Sequence, residues 1–291
     1  MSSIRQTTRI QFRSIVTRVG FPHILATTLV LVAATILLGV AAKATGSGLA
    51  CEANWPQCDA GPYNLFPANL PSFYEWIHRF VAMFAGFAII ASALTAWVSP
   101  RVDRRVTALV VTGLILTPIQ VILGRETVLQ YELEILSLHF WTAVLIFSIF
   151  VVATVLVWET RLSSRHVVAS LGLGAVSLPF HVILSPVIVG DITSYSPGVQ
   201  TAQYAVTLAV LVAVIVSVMV GRRRFDDTRI RAILWSTPLL ALVVLFVGRR
   251  SVMTLNPLLD TLYVFVVVTL LLVFLLGIYL VRNETADGGD L

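Results

Sequence analysis

Apolar residues fall into eight long runs separated by short polar stretches, and the runs predict helices at 23–44, 73–98, 106–124, 134–158, 167–190, 200–220, 231–248 and 258–281. A helix that crosses a bilayer needs about 20 mostly apolar residues, and every run is of that order. The predicted fold class is therefore all-α and integral to the membrane, an eight-transmembrane-helix bundle with short connections. Arginine sets its orientation. Arg5, Arg9, Arg13 and Arg18 precede the first run; Arg101, Arg104 and Arg105, then Arg161 and Arg165, then Arg222–Arg224 lie in alternate connections, and Arg282 follows the last run. The opposite connections hold only Arg125, Arg249 and Arg250. Excess basic residues stay on the cytoplasmic side, which puts both termini there. The first run is longer than the 7–15 apolar residues of a signal peptide, so Ala42-Lys43-Ala44 is read as the end of a retained helix.

Composition agrees. Of 291 residues 57% are apolar and only 12% charged, and the mean hydropathy is +0.90; a soluble domain carries about 25% charged residues. That excludes a soluble enzyme. The net charge of +5 is dispersed between apolar runs, as orientation signals are, so nucleic acid is not an expected partner. The lipid bilayer is. The organisation read from this is a cytoplasmic segment 1–22, a first four-helix half 23–158, a second half 159–281 and a disordered cytoplasmic tail 282–291. Only the connection 45–72 is long enough to carry structure of its own, and loops of that length are uncommon unless functional.

Two matches hint at an internal repeat. Gly124-Arg125-Glu126-Thr127-Val128 ends the third helix and Gly248-Arg249-Arg250-Ser251-Val252 the seventh, and Glu75-Trp76-Ile77-His78 on the second helix falls opposite Gln200-Thr201-Ala202-Gln203 on the sixth. Their common order argues for two pseudo-symmetric four-helix halves in the same orientation.

Ionisable side chains within a membrane are costly and mark functional sites. Glu75, His78, Arg79 and His139 stand out. His78 and His139 each lie about five residues inside helices that enter from the outer side, roughly 8 Å below that boundary at 1.5 Å per residue. Two histidines at one depth can ligate one metal, or a haem iron from both faces. Zinc would want three or four ligands, whereas a bis-histidine haem needs two imidazoles and an apolar slot. Phe73, Trp76, Phe80, Phe84, Phe140 and Trp141 suit a porphyrin; equally, aromatic residues in a membrane protein face lipid or pack.

Glu75 lies one turn before His78 on the same helix face. It is placed either for proton transfer beside a bound haem or as an interfacial acid pairing with Arg79 or Arg125. Arg125 and Arg249 at outer helix ends are either partners for haem propionates or snorkelling interfacial residues. Cys51 and Cys58, the only cysteines, have six residues between them in the outer loop; they are consistent with a disulfide around Trp55-Pro56, as a structural staple or a redox-active pair. His23 and His166 read as solvated cytoplasmic residues. His181, between Pro179 and Pro186, is placed to bond a carbonyl freed by a proline kink.

At these residues the sequence resembles the haem A synthase family. The similarity is carried by Gly46-Ser47-Gly48-Leu49-Ala50-Cys51, Asn54-Trp55-Pro56-Gln57-Cys58, Glu75-Trp76-Ile77-His78-Arg79, Gln120-Val121-Ile122-Leu123-Gly124 and Leu138-His139. It is close in the first half and lies only in the layout of helices in the second. The resemblance implies an enzyme that oxidises a ring methyl of haem O to a formyl group for terminal oxidases, by two hydroxylations and loss of water. It implies that the histidines matching His78 and His139 serve the substrate haem and that the carboxylate matching Glu75 is essential. Arg79 and Arg125, beside these residues, are the expected haem-binding cations. The outer cysteines would form a disulfide or redox pair near the haem.

The departure lies in the second half. There the family usually carries another histidine pair for a haem b cofactor, and here the corresponding residues are Gln203 and Tyr263. That second site is expected to be empty or altered. Expected partners are haem O, a haem O synthase and a membrane or quinone electron donor, with the Cys loop and active site near the extracytoplasmic face. The alternative is a non-catalytic haem-binding membrane protein in oxidase assembly, which needs the histidines but not Glu75.

Overall fold

A computed structural model describes residues 20–51, 55, 66–67, 69–130, 132–188, 194–254 and 256–288. The N-terminal arginines Arg5, Arg9, Arg13 and Arg18, Cys58 and the last three residues lie outside them. Eight long helices carry the described chain: α1 Phe21–Ala44, α2 Leu70–Val98, α3 Arg104–Leu129, α4 Leu133–Val157, α5 Ser164–Ile183, α6 Pro197–Arg224, α7 Thr228–Thr254 and α8 Pro257–Gly288. Each is long and apolar enough to cross a membrane, and no strand occurs among the described residues. The protein is an all-helical, multi-pass membrane protein.

Most helices run past their apolar segments, because an apolar run measures the hydrocarbon layer while the helix continues into the wet interface. The helix α3 starts where the Asp103 carboxylate accepts the Arg105 amide at 2.6 Å, and it carries Arg125 and Glu126 in its last turns. In α5 the order reverses: it stops at Ile183, short of the expected 190. Pro186 lacks an N–H and disfavours helix in the residue before it. The expected disordered tail is helical through Gly288. Thr285 is buried there, its hydroxyl donating to the Val281 carbonyl at 2.9 Å.

The chain forms two compact units. One is built from residues up to Thr35 together with Arg79–Trp158, the other from Ile36–His78 together with residues from Glu159 onward. Residues 36–78, assigned to the first half by the sequence pattern, thus group with the second half by contact.

In the first unit α3 packs on α4. A methyl group on Gly113 would come within 2.7 Å of the Phe150 ring, so the absence of a side chain lets this buried ring lie on the α3 backbone, the usual device where lipid offers no hydrophobic drive to helix association. Thr28 of α1 is tied to α2 by a 2.9 Å hydrogen bond between its hydroxyl and that of Ser92.

In the second unit α5, α6, α7 and α8 close a ring, with contacts from α5 to α6, α6 to α7, α7 to α8 and α8 to α5. Phe274 of α8 lies on Gly174 of α5, within 2.5 Å of where a methyl group would stand. One end of the ring is fastened by arginines: Arg224 donates to the Leu162 carbonyl at 2.5 Å, Arg231 to the Phe225 carbonyl at 2.9 Å, and Arg223 pairs with Glu159.

Several of these devices recur 124 residues apart. The starts of α3 and α4 at Arg104 and Leu133 are matched by those of α7 and α8 at Thr228 and Pro257. Asp103 is matched by Asp227, whose carboxylate accepts the Arg229 amide at 2.7 Å, and the buried Phe150 by the buried Phe274.

Candidate functional site

The polar groups predicted to matter are spread over both units. Glu75 and His78 belong to the second, and Arg79, Arg125 and His139 to the first.

In the second unit, Gly46 takes the left-handed conformation (φ 71°) that turns the chain out of α1. The chain then reaches Cys51, which is fully buried. The Ser72 hydroxyl in the first turn of α2 donates to the Ala50 carbonyl at 3.1 Å, and its amide is held by the Asn69 side chain at 2.9 Å. The segment that follows α1 is thereby fastened to α2 one turn ahead of Glu75. Glu75 is 6% exposed, and at three-residue spacing Ser72, Glu75 and His78 share a helix face.

The His78 ring lies against Gly39 of α1. A methyl group at Gly39 would stand 2.8 Å from its Cε1 and 3.3 Å from both ring nitrogens, so only glycine leaves room for the imidazole in this position. Trp76 turns elsewhere, toward Phe66 and Phe73, with ring centroids 6.1 and 6.0 Å away.

The first unit repeats the arrangement with other residues. The His139 ring lies on Gly124 of α3, its Cε1 3.0 Å from where a methyl group would be. One turn earlier the Gln120 side-chain amide is 3.4 Å from His139 Nε2. Both histidines are half-buried and each is seated on a glycine of a neighbouring helix, which fixes the ring by packing. Arg125 pairs with the adjacent Glu126 at 2.5 Å. Of the aromatic residues expected around a porphyrin, Phe73, Phe80 and Phe84 are exposed, as lipid-facing side chains are.

The sequence gives no warning of Gly39. Gly124 is legible only in hindsight, as the glycine fifteen residues ahead of His139 that recurs as Gly248 ahead of Tyr263.

The positions that match the histidines in the second half are built differently. Gln203 and Tyr263 are buried at 7% and 1% exposure, and Tyr263 lies on Gly248 as His139 lies on Gly124, with Cε2 3.0 Å from a methyl position. The ring of His181 bonds no backbone carbonyl freed by Pro179 or Pro186, contrary to the sequence-based expectation. Its Nδ1 is 2.5 Å from the Tyr263 hydroxyl and its Nε2 is 2.9 Å from the Thr207 hydroxyl. Gln203 donates to the His181 carbonyl at 3.3 Å and accepts from the Tyr195 hydroxyl at 2.5 Å. Burial next to Tyr204 pushes the Tyr195 phenol well above its ordinary range. His23 is exposed, with its ring edge toward Trp158 at 6.1 Å. His166 Nδ1 accepts the Ser163 amide at 3.0 Å and so caps α5.

No family model matches the chain. It is similar to the heme A synthase of Bacillus licheniformis, 31% identical over 147 residues, which cover 50% of this chain and 47% of that protein. The heme A synthase of Alkalihalophilus pseudofirmus is 30% identical over 152 residues, 52% of this chain and 47% of that one. A protoheme IX farnesyltransferase of Halobacterium salinarum is 32% identical over 114 residues, 39% of this chain and 24% of that one. The chain spans about half the length of the heme A synthases it matches. Over that half, the chain is similar to heme A synthases.

Proposed function

We propose that the protein is a membrane oxidoreductase of the haem A synthase type, oxidising a ring methyl of haem O to a formyl group. The observation that carries this reading is the seating of His78 on Gly39 and of His139 on Gly124, with the buried Glu75 one turn from His78. Imidazoles held in place by packing suit ligation of the substrate haem. In this reading the two four-helix halves are repeats, both termini are cytoplasmic, and the outer loop covers the substrate's edge.

Glu75 would act on the substrate. A carboxylate sheltered from water next to the reacting methyl takes up or delivers a proton as each hydroxyl forms and as the diol loses water. Arg79 and Arg125 would answer the haem propionates, and Cys51 would pair with Cys58 to close the loop. The likeness to a protoheme IX farnesyltransferase supports a partner that farnesylates protohaem ahead of this step. Each hydroxylation takes dioxygen as the oxidant, one oxygen atom going to the ring carbon and the other being reduced to water with two electrons from a membrane or quinone donor and two protons.

The test is Glu75→Gln in full-length protein produced alongside a haem O synthase. Haem content should stay within twofold of wild type, while conversion to hydroxylated haem O and haem A should fall about 10²–10⁴-fold, the usual worth of a positioned acid–base group. Undiminished conversion would remove Glu75 from the chemistry.

A further inference from the structure

The second half is where this chain parts from the haem A synthase pattern, and its interior indicates what replaced the expected cofactor. Three helices meet at His181 of α5, Thr207 and Gln203 of α6, and Tyr263 of α8. The Tyr263 hydroxyl lies 2.5 Å from His181 Nδ1 and 3.1 Å from the His181 carbonyl, and the Thr207 hydroxyl lies 2.9 Å from both His181 Nε2 and the Gln203 backbone carbonyl. The Gln203 side chain completes the cluster, reaching the His181 carbonyl on one side and the Tyr195 hydroxyl on the other.

Each group that could bind iron here is thereby occupied. Both nitrogens of His181, the imidazole of this cluster, are in hydrogen bonds, and the Tyr263 oxygen is bonded within the cluster. Space is equally short. The cavity beside His181 and Thr207, bounded by Leu178, Leu211 and Val244, measures about 10 Å³, about one water molecule, whereas pockets for cofactors run to several hundred Å³. Next to Gln203 and Thr207, α5 presents the carbonyl and the side chain of His181. The residues present do not fit a haem.

We infer that the second half has exchanged cofactor binding for a closed hydrogen-bonded core, so that its described residues hold no haem and at most one haem is expected per chain. The inference uses the haem reading of the first half only to count sites.

The test titrates haemin into purified full-length protein in detergent and counts bound haem per chain by the pyridine haemochrome spectrum. Wild type, the His78→Ala/His139→Ala double variant, Tyr263→Phe and the milder Thr207→Val are compared, with melting temperature as a second readout. One haem per wild-type chain, none in the double variant, and unchanged stoichiometry with a melting temperature lowered by several degrees in Tyr263→Phe and Thr207→Val is the expected result. Binding to neither wild type nor double variant would sink the first-half site and uphold this inference. Two haems per chain, or one that survives in the double variant and disappears with Tyr263→Phe, would overturn it. So would melting temperatures that neither cluster variant moves.

Discussion

Replacing Gly39 by alanine places a methyl group 2.8 Å from Cε1 of His78 and 3.3 Å from both ring nitrogens. Ordinary contact begins near 3.4 Å, so the ring must withdraw by about 0.6 Å or the helices must part. Overpacking of this kind costs about 1–3 kcal/mol. If the strain falls on the ring that holds the substrate haem, the same energy is a loss of roughly 5–150-fold in haem affinity. Alanine also favours the helix over glycine by about 1 kcal/mol, which offsets part of the cost to folding but none of the displacement of the ring.

The assay is a haemin titration followed in the Soret band, with the melting temperature measured on the same samples. Gly86→Ala in α2 is the control: nothing lies within 4 Å of its new methyl group, so it should bind haem as wild type does and melt slightly higher. Gly124→Ala, at 3.0 Å from His139, should show a smaller loss. Wild-type affinity in Gly39→Ala, with the fold intact, would refute the argument that this glycine exists to seat a ligand.

Other consequences are accessible to simpler measurements. Thr28→Val removes a hydroxyl bonded to Ser92 at 2.9 Å and should cost about 0.6 kcal/mol and at most about 1.7 kcal/mol; a melting temperature equal to wild type would show that the bond holds nothing together. Alkylation of the isolated protein should add no label at Cys51 and Cys58 before reduction and two labels after, read by intact mass, and labelling without reductant would rule out their pairing. The raised Tyr195 phenol contributes stability that is complete below the unfolded tyrosine value of about 10 and is lost as pH rises through the higher folded value. The melting temperature should therefore fall in strong alkali, and an identical fall in Tyr195→Phe would assign it to other groups.

The eight helices were legible because each apolar run is long enough to cross a membrane, and two of them start behind an aspartate that accepts a first-turn amide, Asp103 for α3 and Asp227 for α7. Their ends were less so. Arg125 and Arg249 interrupt an apolar pattern without interrupting a helix, the first because its exposed side chain is solvated at the interface. Glu75, His78 and His139 could be singled out because a polar group inside an apolar run is costly.

The seats of those rings were not legible. Gly39 is 39 residues from His78, and a glycine in a membrane helix has many ordinary reasons to be there. Nor was the cluster around His181, whose partners Thr207 and Tyr263 are 26 and 82 residues away. Its polar residues, taken one at a time, each have a bland reading. Only their convergence explains what Tyr263 and Gln203 do in the interior of the second unit.

The central claim is conversion of haem O. The direct measurement is to produce the full-length protein together with a haem O synthase in a host that lacks haem A, extract the haems, and separate them by reversed-phase chromatography with mass detection. The account predicts haem A or hydroxylated haem O, dependent on Glu75, His78 and His139. Recovery of unmodified haem O alone, from protein that binds it, would contradict the account and leave a haem-binding protein without the oxidation.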